Sequence, residues 1–396
     1  MQIDTLILGA GAAGLYCAAY AGGPTLVIDH AKRPAEKVRI SGGGRCNFTN
    51  LEIAPERFLS ANPHFHRSAL ARHDQWAFID RVSRAGIGWH EKTLGQLFCD
   101  GKSTAIVDLL VSDAEAAGAD IWLDTHTGSI EQVDGGFRVA LSRAGRPITV
   151  SARRLVVATG GKSIPKMGAT GLAYDIARQF GLTVTETRPA LVPLTFTDGR
   201  FAPLSGTACP ARAANARMRF DEAILFTHRG LSGPAILQLS SYWREGEAIS
   251  LTLDPGGSAV PALRADRARH GRVKIANALS RHVPARLAEH IASDLGLAGN
   301  LADQPDAALA RLSDRLTDWR LVPQGSEGWR TAEVTLGGID TVHLDGRTME
   351  AKAVPGLYFI GECVDVTGWL GGYNFQWAWS SAWAAGTAVA AARARA

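Results

Sequence analysis

The chain has 396 residues and few cysteines. None of its cysteines has the spacing that is typical of disulfide-bonded small domains or of zinc sites. The number of cysteines is odd and no C-x-x-C pair occurs, which argues against a disulfide framework or a structural zinc site. No group of His, Cys, Asp and Glu has metal-ligand spacing, so no metal is expected. This cysteine usage favours a protein of the reducing cytoplasm. The five are Cys17, Cys46, Cys99, Cys209 and Cys363.

Long apolar runs and charge of one sign are also scarce. The first residues lack the basic region of a signal peptide, and the apolar segment 6–28 is interrupted by four glycines before Gly23-Pro24. We therefore expect no membrane partner. The net charge is only +4, and the densest basic stretch, 264–274, is interpreted as a solvated helical face. We therefore expect a small-molecule substrate and do not expect nucleic acid as a partner. The sequence leaves the oligomeric state open.

Glycine, by contrast, is abundant, with 43 residues, and the chain is 46% hydrophobic and 20% charged. This composition is typical of a folded protein of two or three domains. A strand-like run at 3–8 leads into GAGAAG at 9–14 and then an Ala-rich helix. A second strand-like run at 25–28 follows and closes with Asp29. The pattern predicts a βαβ unit that binds a dinucleotide.

Each part of this fingerprint has a physical role. Gly9 permits the tight turn, Gly11 lets a pyrophosphate approach the backbone, and Gly14 lets the helix pack on the strand. The helix begins at Ala12-Ala13, where free N–H groups and the helix dipole favour phosphate; Ala12 and Ala13 are therefore counted with the site. Asp29 is expected to accept hydrogen bonds from a ribose.

Two later strand-like runs, 155–159 and 357–360, also end in glycine. Ligands of open α/β sheets bind at the carboxyl ends of the strands, so the three glycine corners should converge. The residues at and after the ends of these two runs include Ala158, Thr159, Gly160, Gly361, Glu362 and Asp365.

Two further glycine-rich turns carry polar residues. In the first, successive glycines offer backbone N–H donors that can form an anion-binding concavity. The side chains that follow them add a cation (Arg45), a thiol (Cys46) and an amide (Asn47). In the second, the turn leads into an Ala/Trp-rich helix whose N-terminus again faces a ligand. The first contains Gly42, Gly43, Gly44, Arg45, Cys46 and Asn47, and the second contains Gly371, Gly372, Tyr373 and Asn374.

The order of strand-like and helix-like sequence patterns along the chain predicts a domain that is interrupted by an insertion. The fold class expected is α/β, with a three-layer Rossmann-like domain on a parallel sheet and a β-rich, barrel-like insertion that carries a helical subdomain. The Rossmann-like domain covers 1–188 and 348–396. The insertion covers 189–260 and 322–347, with the helical subdomain at 261–321.

Several of these segments together resemble the YhiN/BaiN-type family of NAD(P)/FAD-dependent flavoproteins. The resemblance spans nearly the whole chain in the family's order, and its GGGRCN and GGYN blocks are more specific than GxGxxG. It implies FAD in the Rossmann-like domain, with Gly42–Asn47, Ala158–Gly161, Glu362, Asp365 and Gly371–Asn374 lining the flavin. The matching blocks are GAGAAG, ISGGGRCNFTN, ATGGKSIPKMGATG, FTHRGLSGPAIL, TLGGI, TMEAK, GLYFIGECVD and GGYNFQWAWSS.

The resemblance leads to an expected activity: an FAD-dependent oxidoreductase that moves hydride through the flavin N5. FAD would be bound non-covalently, and NAD(P)H would visit transiently because the sequence has no second G-x-G-x-x-G. The expected reaction is reduction of a C=C bond of a small organic substrate. Cys46, His228 and Tyr373 are the candidate catalytic proton donors. The alternatives are a flavin-dependent RNA-modifying enzyme, which a basic stripe on the insertion would support, and a non-enzymatic flavin-binding redox sensor.

Overall fold

The computed structural model describes residues 1–395. Within them the chain divides into two compact units, residues 1–189 with 334–396 and residues 190–333. This division tests neither the five predicted segment boundaries nor the predicted helical subdomain, and these stay predictions.

The first unit is built on a seven-stranded mixed sheet with the order β7-β2-β1-β10-β9-β8, in which β20 (Leu357–Phe359) also pairs with β10. The strands of 1–190 are β1 (Gln2–Leu8), β2 (Thr25–Ile28), β3 (Asn47–Asn50), β4 (Phe58–Leu59), β5 (Trp89–Glu91), β6 (Gln96–Cys99), β7 (Ala119–Trp122), β8 (Thr125–Val133), β9 (Gly136–Arg143), β10 (Arg146–Val157) and β11 (Arg188–Ala190). The helices are α1 (Ala12–Ala21), α2 (Glu36–Gly44), α3 (Arg67–Arg72), α4 (Gln75–Arg84), α5 (Thr104–Ala116) and α6 (Leu172–Gln179).

The second unit is built on an antiparallel sheet with the order β17-β16-β13-β14-β15-β12-β18. Its strands are β12 (Leu194–Thr195), β13 (Ala208–Ala214), β14 (Arg219–Phe226), β15 (Gly230–Ser232), β16 (Ile249–Thr252), β17 (Trp319–Leu321) and β18 (Gly325–Ser326). Its helices are α7 (Pro234–Ser240), α8 (Ala259–His270), α9 (Ile275–Leu279), α10 (Ala285–Asp294) and α11 (Asp306–Thr317). The predicted barrel-like closure of this sheet stays a prediction.

The chain then returns to the first unit, whose remaining elements are β19 (Val334–Leu336), β20 (Leu357–Phe359), β21 (Thr367–Gly368) and α12 (Tyr373–Ala394). The predicted βαβ unit is present: β1 and β2 lie parallel, and α1 connects them. Helix α1 packs against α5 and α12, and close approach to α12 is possible because Gly386 faces the backbone of Cys17.

The sheet is parallel at its centre because crossovers separate the strands. Both of its faces are covered, so β1 and β2 are almost wholly buried. Strand β10 is longer than the predicted run at 155–159. Its first half, 146–152, pairs antiparallel with β9, and its second half pairs parallel with β1. The alternating exposed and buried residues of that first half are typical of a sheet with one solvated face.

Candidate functional site

The carboxyl ends of three strands meet at one edge of the first unit's sheet. Leu8 of β1 pairs in parallel register with Val157 of β10, and Val157 pairs with Phe359 of β20. The residues that follow each strand therefore emerge side by side. The predicted convergence of the three glycine corners is confirmed by this register, although the segments lie far apart in sequence.

The first corner is packed so closely that it excludes side chains. A Cβ at Gly9 would lie 2.5 Å from the carbonyl oxygen of Ala158, and a Cβ at Gly14 would overlap the carbonyl oxygen of Gly9. A Cβ at Gly361 would lie 3.0 Å from the Cβ of Ala13. At Gly11, in contrast, nothing lies within 4 Å. Gly11 thus faces open space at the start of α1, beside Ala12, as a pyrophosphate cradle requires.

Asp29 closes β2 at the same edge. Its carboxylate accepts hydrogen bonds from the backbone N–H groups of Ala10 and Ala31, both at 2.8 Å. The side chain remains 17% exposed. The two backbone donors fix the carboxylate while leaving lone pairs for a further donor such as a ribose hydroxyl.

The second corner contains a polar atom without a partner. The Oγ1 of Thr159 is buried and makes no hydrogen bond within residues 1–395. The next residue, Gly160, has φ +71°, which turns the chain at the strand end. Because buried hydroxyl groups are normally hydrogen-bonded, Thr159 is a candidate contact for a bound group.

The third corner carries Glu362, which is enclosed by four polar groups. Its carboxylate accepts from the Lys37 ammonium at 2.9 Å and from the Ser163 hydroxyl at 2.6 Å. The backbone N–H and hydroxyl of Thr335 each donate to it at 3.1 Å. Burial alone would raise the pKa of Glu362, but Lys37 and the hydrogen bonds from Ser163 and Thr335 hold it below the ordinary value. The carboxylate is therefore charged.

Sequence reasoning missed the residues that hold Glu362. Ser163 and Thr335 stand inside the ATGGKS and TLGGI blocks, so those blocks are the signal that could have found them. Lys37 has no such signal, because it is a lysine on α2 whose contact with Glu362 spans 325 positions.

The turn with three glycines ends α2 in left-handed backbone. Gly42, Gly43 and Gly44 have φ of +57°, +65° and +85°. A Cβ at Gly42 would lie 2.8 Å from the Phe98 ring, whereas at Gly43 and Gly44 nothing lies within 4 Å. Arg45, the next residue, is exposed. The glycines thus serve the backbone conformation, and Gly43 and Gly44 leave open space beside the turn.

This turn meets the C-terminal glycine turn. With the Asn47 amide turned so that both of its polar atoms find partners, its oxygen accepts from the backbone N–H of Gly372 at 3.3 Å and its nitrogen donates to Leu97 O at 3.1 Å. A Cβ at Gly372 would overlap the backbone of Thr49, and one at Gly371 would lie 2.8 Å from the Gln96 side chain. The two turns are therefore one structural cluster at the start of α12.

Tyr373 and Asn374 begin α12 in different roles. The Tyr373 hydroxyl accepts from the Arg57 guanidinium and donates to Glu52 O at 3.1 Å. The Arg57 guanidinium lies 5.8 Å from the Tyr373 ring centre. The Asn374 amide is used within the chain: its oxygen accepts from Gly368 N at 2.8 Å and its nitrogen donates to Gly368 O at 3.0 Å.

The other predicted residues lie in different surroundings. Cys46 is fully buried, and burial raises the pKa of its thiol to about 12, so it is protonated. His228 lies in the second unit, exposed at the tip of the β14–β15 hairpin. Asp365 is 4% exposed and accepts from Ala61 N at 2.9 Å, and burial raises its pKa.

Within residues 1–395, no helix combines the length and apolar character needed to span a membrane. The same residues contain no group of three or more His, Cys, Asp or Glu side chains arranged to hold a metal ion.

The fold and the strand-end site define a class: a flavoprotein oxidoreductase with a Rossmann-type FAD-binding domain. The chain belongs to the HI0933-like family, since the model of the HI0933-like protein Rossmann domain matches residues 3–388. It is 49% identical over 408 residues to the ribosomal RNA dihydrouridine synthase of Escherichia coli (strain K12), covering 99% of both chains. It is 43% identical over 394 residues to the ribosomal RNA dihydrouridine synthase of Haemophilus influenzae (strain ATCC 51907 / DSM 11121 / KW20 / Rd), covering 98% of both. The chain is therefore an FAD-dependent oxidoreductase.

A solved structure shares the fold. The 3-ketosteroid-delta4-(5alpha)-dehydrogenase of Rhodococcus jostii RHA1 matches with a TM-score of 0.54 and 15% identity, over 98% of this chain and 97% of that one. The likeness shows the α/β Rossmann-type fold with an antiparallel β insertion, and at this identity it shows the fold alone.

The relatives correct one prediction. We expected a small-molecule substrate and no nucleic acid, and this is wrong: two relatives that match over nearly the full length are ribosomal RNA enzymes by name. The expectation rested on a small net charge and dispersed basic residues. Those quantities do not reveal which basic side chains are neutralised by neighbours in the fold. Of the activities considered from the sequence, the flavin-dependent RNA-modifying enzyme is the better supported.

Proposed function

We propose that this protein reduces a uridine of ribosomal RNA to dihydrouridine. The observation that carries the proposal is the 49% identity to the E. coli ribosomal RNA dihydrouridine synthase over 99% of both chains. A ribosomal RNA substrate agrees with the predicted cytoplasmic location. The geometry supports the flavin part of the proposal, because the strand ends form a site that fits a dinucleotide.

The fit of FAD rests on three features of the strand ends. Gly11 faces open space beside a helix N-terminus, Thr159 has a buried hydroxyl without a partner, and Asp29 is fixed with free lone pairs. We propose that FAD is held there non-covalently. The proposed contacts are Gly9, Gly11, Ala12, Ala13, Gly14, Asp29, Gly42, Gly43, Gly44, Arg45, Cys46, Asn47, Ala158, Thr159, Gly160, Gly361, Glu362, Asp365, Gly371, Gly372, Tyr373 and Asn374.

Reduction of the uracil C5=C6 bond adds a hydride to one carbon and a proton to the other. The flavin, when bound, supplies hydride chemistry, and the protein supplies binding, orientation and a proton. Of the three predicted proton donors, Tyr373 has the best arrangement. Its hydroxyl receives a hydrogen bond from Arg57, and that cation would stabilise the phenolate left after proton transfer. Burial raises the pKa of the Cys46 thiol to about 12, which makes it a weaker acid than an ordinary thiol.

We propose NAD(P)H as the source of reducing equivalents, binding only transiently. The sequence contains one G-x-G-x-x-G, at Gly9–Gly14, so no second fingerprint marks a dedicated nicotinamide domain. One NAD(P)H and one proton would be consumed for each uridine reduced.

The proposal is tested with purified protein, ribosomal RNA transcribed in vitro and NADH or NADPH under anaerobic conditions. We expect flavin bleaching with one of the nicotinamides, and RNA nucleosides that gain two hydrogens by mass spectrometry. Tyr373→Phe keeps the ring and removes the hydroxyl with its hydrogen bonds to Arg57 and Glu52 O, so we expect flavin content and bleaching to be kept and most dihydrouridine formation to be lost. Gly256→Val, at an open position in the second unit, is the control. Bleaching followed by no change in the RNA would contradict the proposal.

A further inference from the structure

Half of the sixteen arginines at residues 190–333 are neutralised by carboxylates of the same unit. Eight arginine side chains of this unit each lie within 4.0 Å of an Asp or Glu oxygen. Such exposed pairs add little stability, but they cancel charge at the surface. The pairs are Arg200–Asp198, Arg212–Asp221, Arg217–Glu247, Arg229–Glu327, Arg267–Asp306, Arg281–Asp266, Arg315–Asp294 and Arg320–Asp318.

Among the described residues, the arginines that form no such pair are scattered along the unit, at Arg219, Arg244, Arg286, Arg311 and Arg330, except in one segment. Arg264, Arg269, Arg272 and Lys274 are all exposed. Within residues 1–395, no carboxylate oxygen lies within salt-bridge distance of any of these four side chains. We call these four residues the basic segment. They stand within eleven consecutive positions, the densest run in the described second unit of arginine and lysine side chains that form no salt bridge.

The carboxylates closest in sequence and fold to the basic segment are already engaged. Asp266 pairs with Arg281 at 2.8 Å, and Asp306 pairs with Arg267. Asp303 accepts from the backbone N–H of Asn300 at 3.0 Å, as part of a capping box. None of these carboxylates forms a salt bridge with the basic segment, and Arg264 has only a longer-range electrostatic interaction with Asp306.

The basic segment is also fixed in position. Helix α8 is anchored by its buried residues Val260 and Leu263. The chain beyond α8 is tied down by backbone hydrogen bonds from Ala302 N to Gly271 O at 2.9 Å and from Leu301 N to Val273 O at 2.8 Å. The cationic side chains are therefore presented from a defined backbone, which lowers the entropy lost when they bind a partner.

We propose that the basic segment binds the phosphodiester backbone of the RNA substrate. This inference rests on the proposed function and adds the surface that recruits the RNA. Unpaired, exposed Arg and Lys side chains match phosphate chemistry, and neutralising phosphates releases counterions from the RNA. Phosphate contacts position a nucleic acid without reading its sequence, so the basic segment would supply affinity rather than the choice of uridine.

The test compares two quadruple variants that lose the same charge. The first changes Arg264, Arg269, Arg272 and Lys274 to Gln. The matched control changes four arginines that are already ion-paired, Arg84→Gln, Arg138→Gln, Arg178→Gln and Arg320→Gln. Binding of in-vitro-transcribed ribosomal RNA is measured by filter retention between about 50 and about 200 mM KCl. Flavin bleaching by NAD(P)H without RNA verifies that both variants are folded.

We expect the first variant to bind RNA at least about tenfold more weakly at the lowest salt, and its salt slope to fall by about 3, at roughly 0.7 per lost contact. The control should bind as the unaltered protein does. Equal affinity of both variants would overturn the inference while leaving the proposed function intact. A defect seen only with intact ribosomes, and not with naked RNA, would overturn it in favour of a protein contact. An unaltered protein that neither binds nor reduces ribosomal RNA would overturn the proposed function and this inference together.

Discussion

The corner at Gly9–Gly14 and the turn at Gly42–Gly44 both depend on glycine, for different physical reasons. At the corner, backbone atoms of a neighbouring segment fill the space that a side chain would need. A Cβ on Gly14 would overlap the carbonyl oxygen of Gly9. At the turn, Gly43 and Gly44 have free space and need glycine only for their positive φ. One region uses glycine for close approach and the other for conformation. Substitutions should therefore have unequal costs in the two regions.

Gly14→Ala should have the largest effect. The added methyl group would overlap the Gly9 carbonyl, so β1 and α1 must separate. We expect the free energy of unfolding to fall by about 3 kcal/mol, the upper end for overpacked sites, with loss of bound FAD. Urea unfolding and the FAD released on denaturation measure both. A variant with unaltered stability and full flavin content would show that the corner is not close-packed.

Glu362→Gln should have the next largest effect, because it leaves the Lys37 ammonium without its partner. We expect a loss of about 1–3 kcal/mol at neutral pH. The native pKa of Glu362 is lowered, so its stabilisation is present above the unfolded-state pKa and disappears as the pH falls through the native value. The difference from the unaltered protein should therefore shrink on acidification. Glu131→Gln, at a surface pair with Arg138, is the control, and a pH-independent difference would contradict the account.

Gly43→Ala should cost less than either. The new methyl group meets nothing within 4 Å, and only the left-handed backbone is penalised, by about 1 kcal/mol. Gly256→Ala, which is equally open and lacks a positive φ, should leave the free energy of unfolding unchanged or slightly raised. Equal losses at Gly43 and Gly14 in urea unfolding would erase the distinction between the two regions.

Cys46→Ala should have the smallest effect on turnover. The thiol is buried and its pKa is raised to about 12, so it carries no thiolate at neutral pH. We expect unchanged kcat for dihydrouridine formation, and no labelling of the native protein by a thiol reagent at neutral pH. All five cysteines are buried, which strengthens the labelling prediction. Rapid labelling, with Cys46 identified by peptide mass, would be the contrary result.

The sequence predicted those parts of the site in which local pattern and topology act together. The run at 3–8, the glycines and Asp29 lie within one βαβ unit, so their order alone indicates their placement. The convergence of β10 and β20 followed from the rule for parallel sheets. The network of Lys37 and Glu362, and the bond between Arg57 and Tyr373, could not be predicted. They join segments more than 300 positions apart, and only tertiary packing brings them together.

The partner was mispredicted for a related reason. Net charge and the spacing of basic residues are one-dimensional quantities, whereas available charge depends on which side chains are paired. Arg267 and Arg269 are two positions apart, yet Arg267 pairs with Asp306 and Arg269 is exposed with no carboxylate nearby within residues 1–395. From the sequence alone, both arginines count equally as available positive charge.

The central claim is that the glycine corners hold one flavin, and Gly11→Val tests it most directly. Gly11 has ordinary backbone angles and open space around it, so valine should fold without strain but fill the place assigned to the pyrophosphate. Flavin content per chain is measured after purification and after reconstitution with FAD, beside Gly256→Val. The account predicts an unchanged melting temperature of the apoprotein, with flavin lost in Gly11→Val and retained in the control. Full flavin occupancy in Gly11→Val would contradict it.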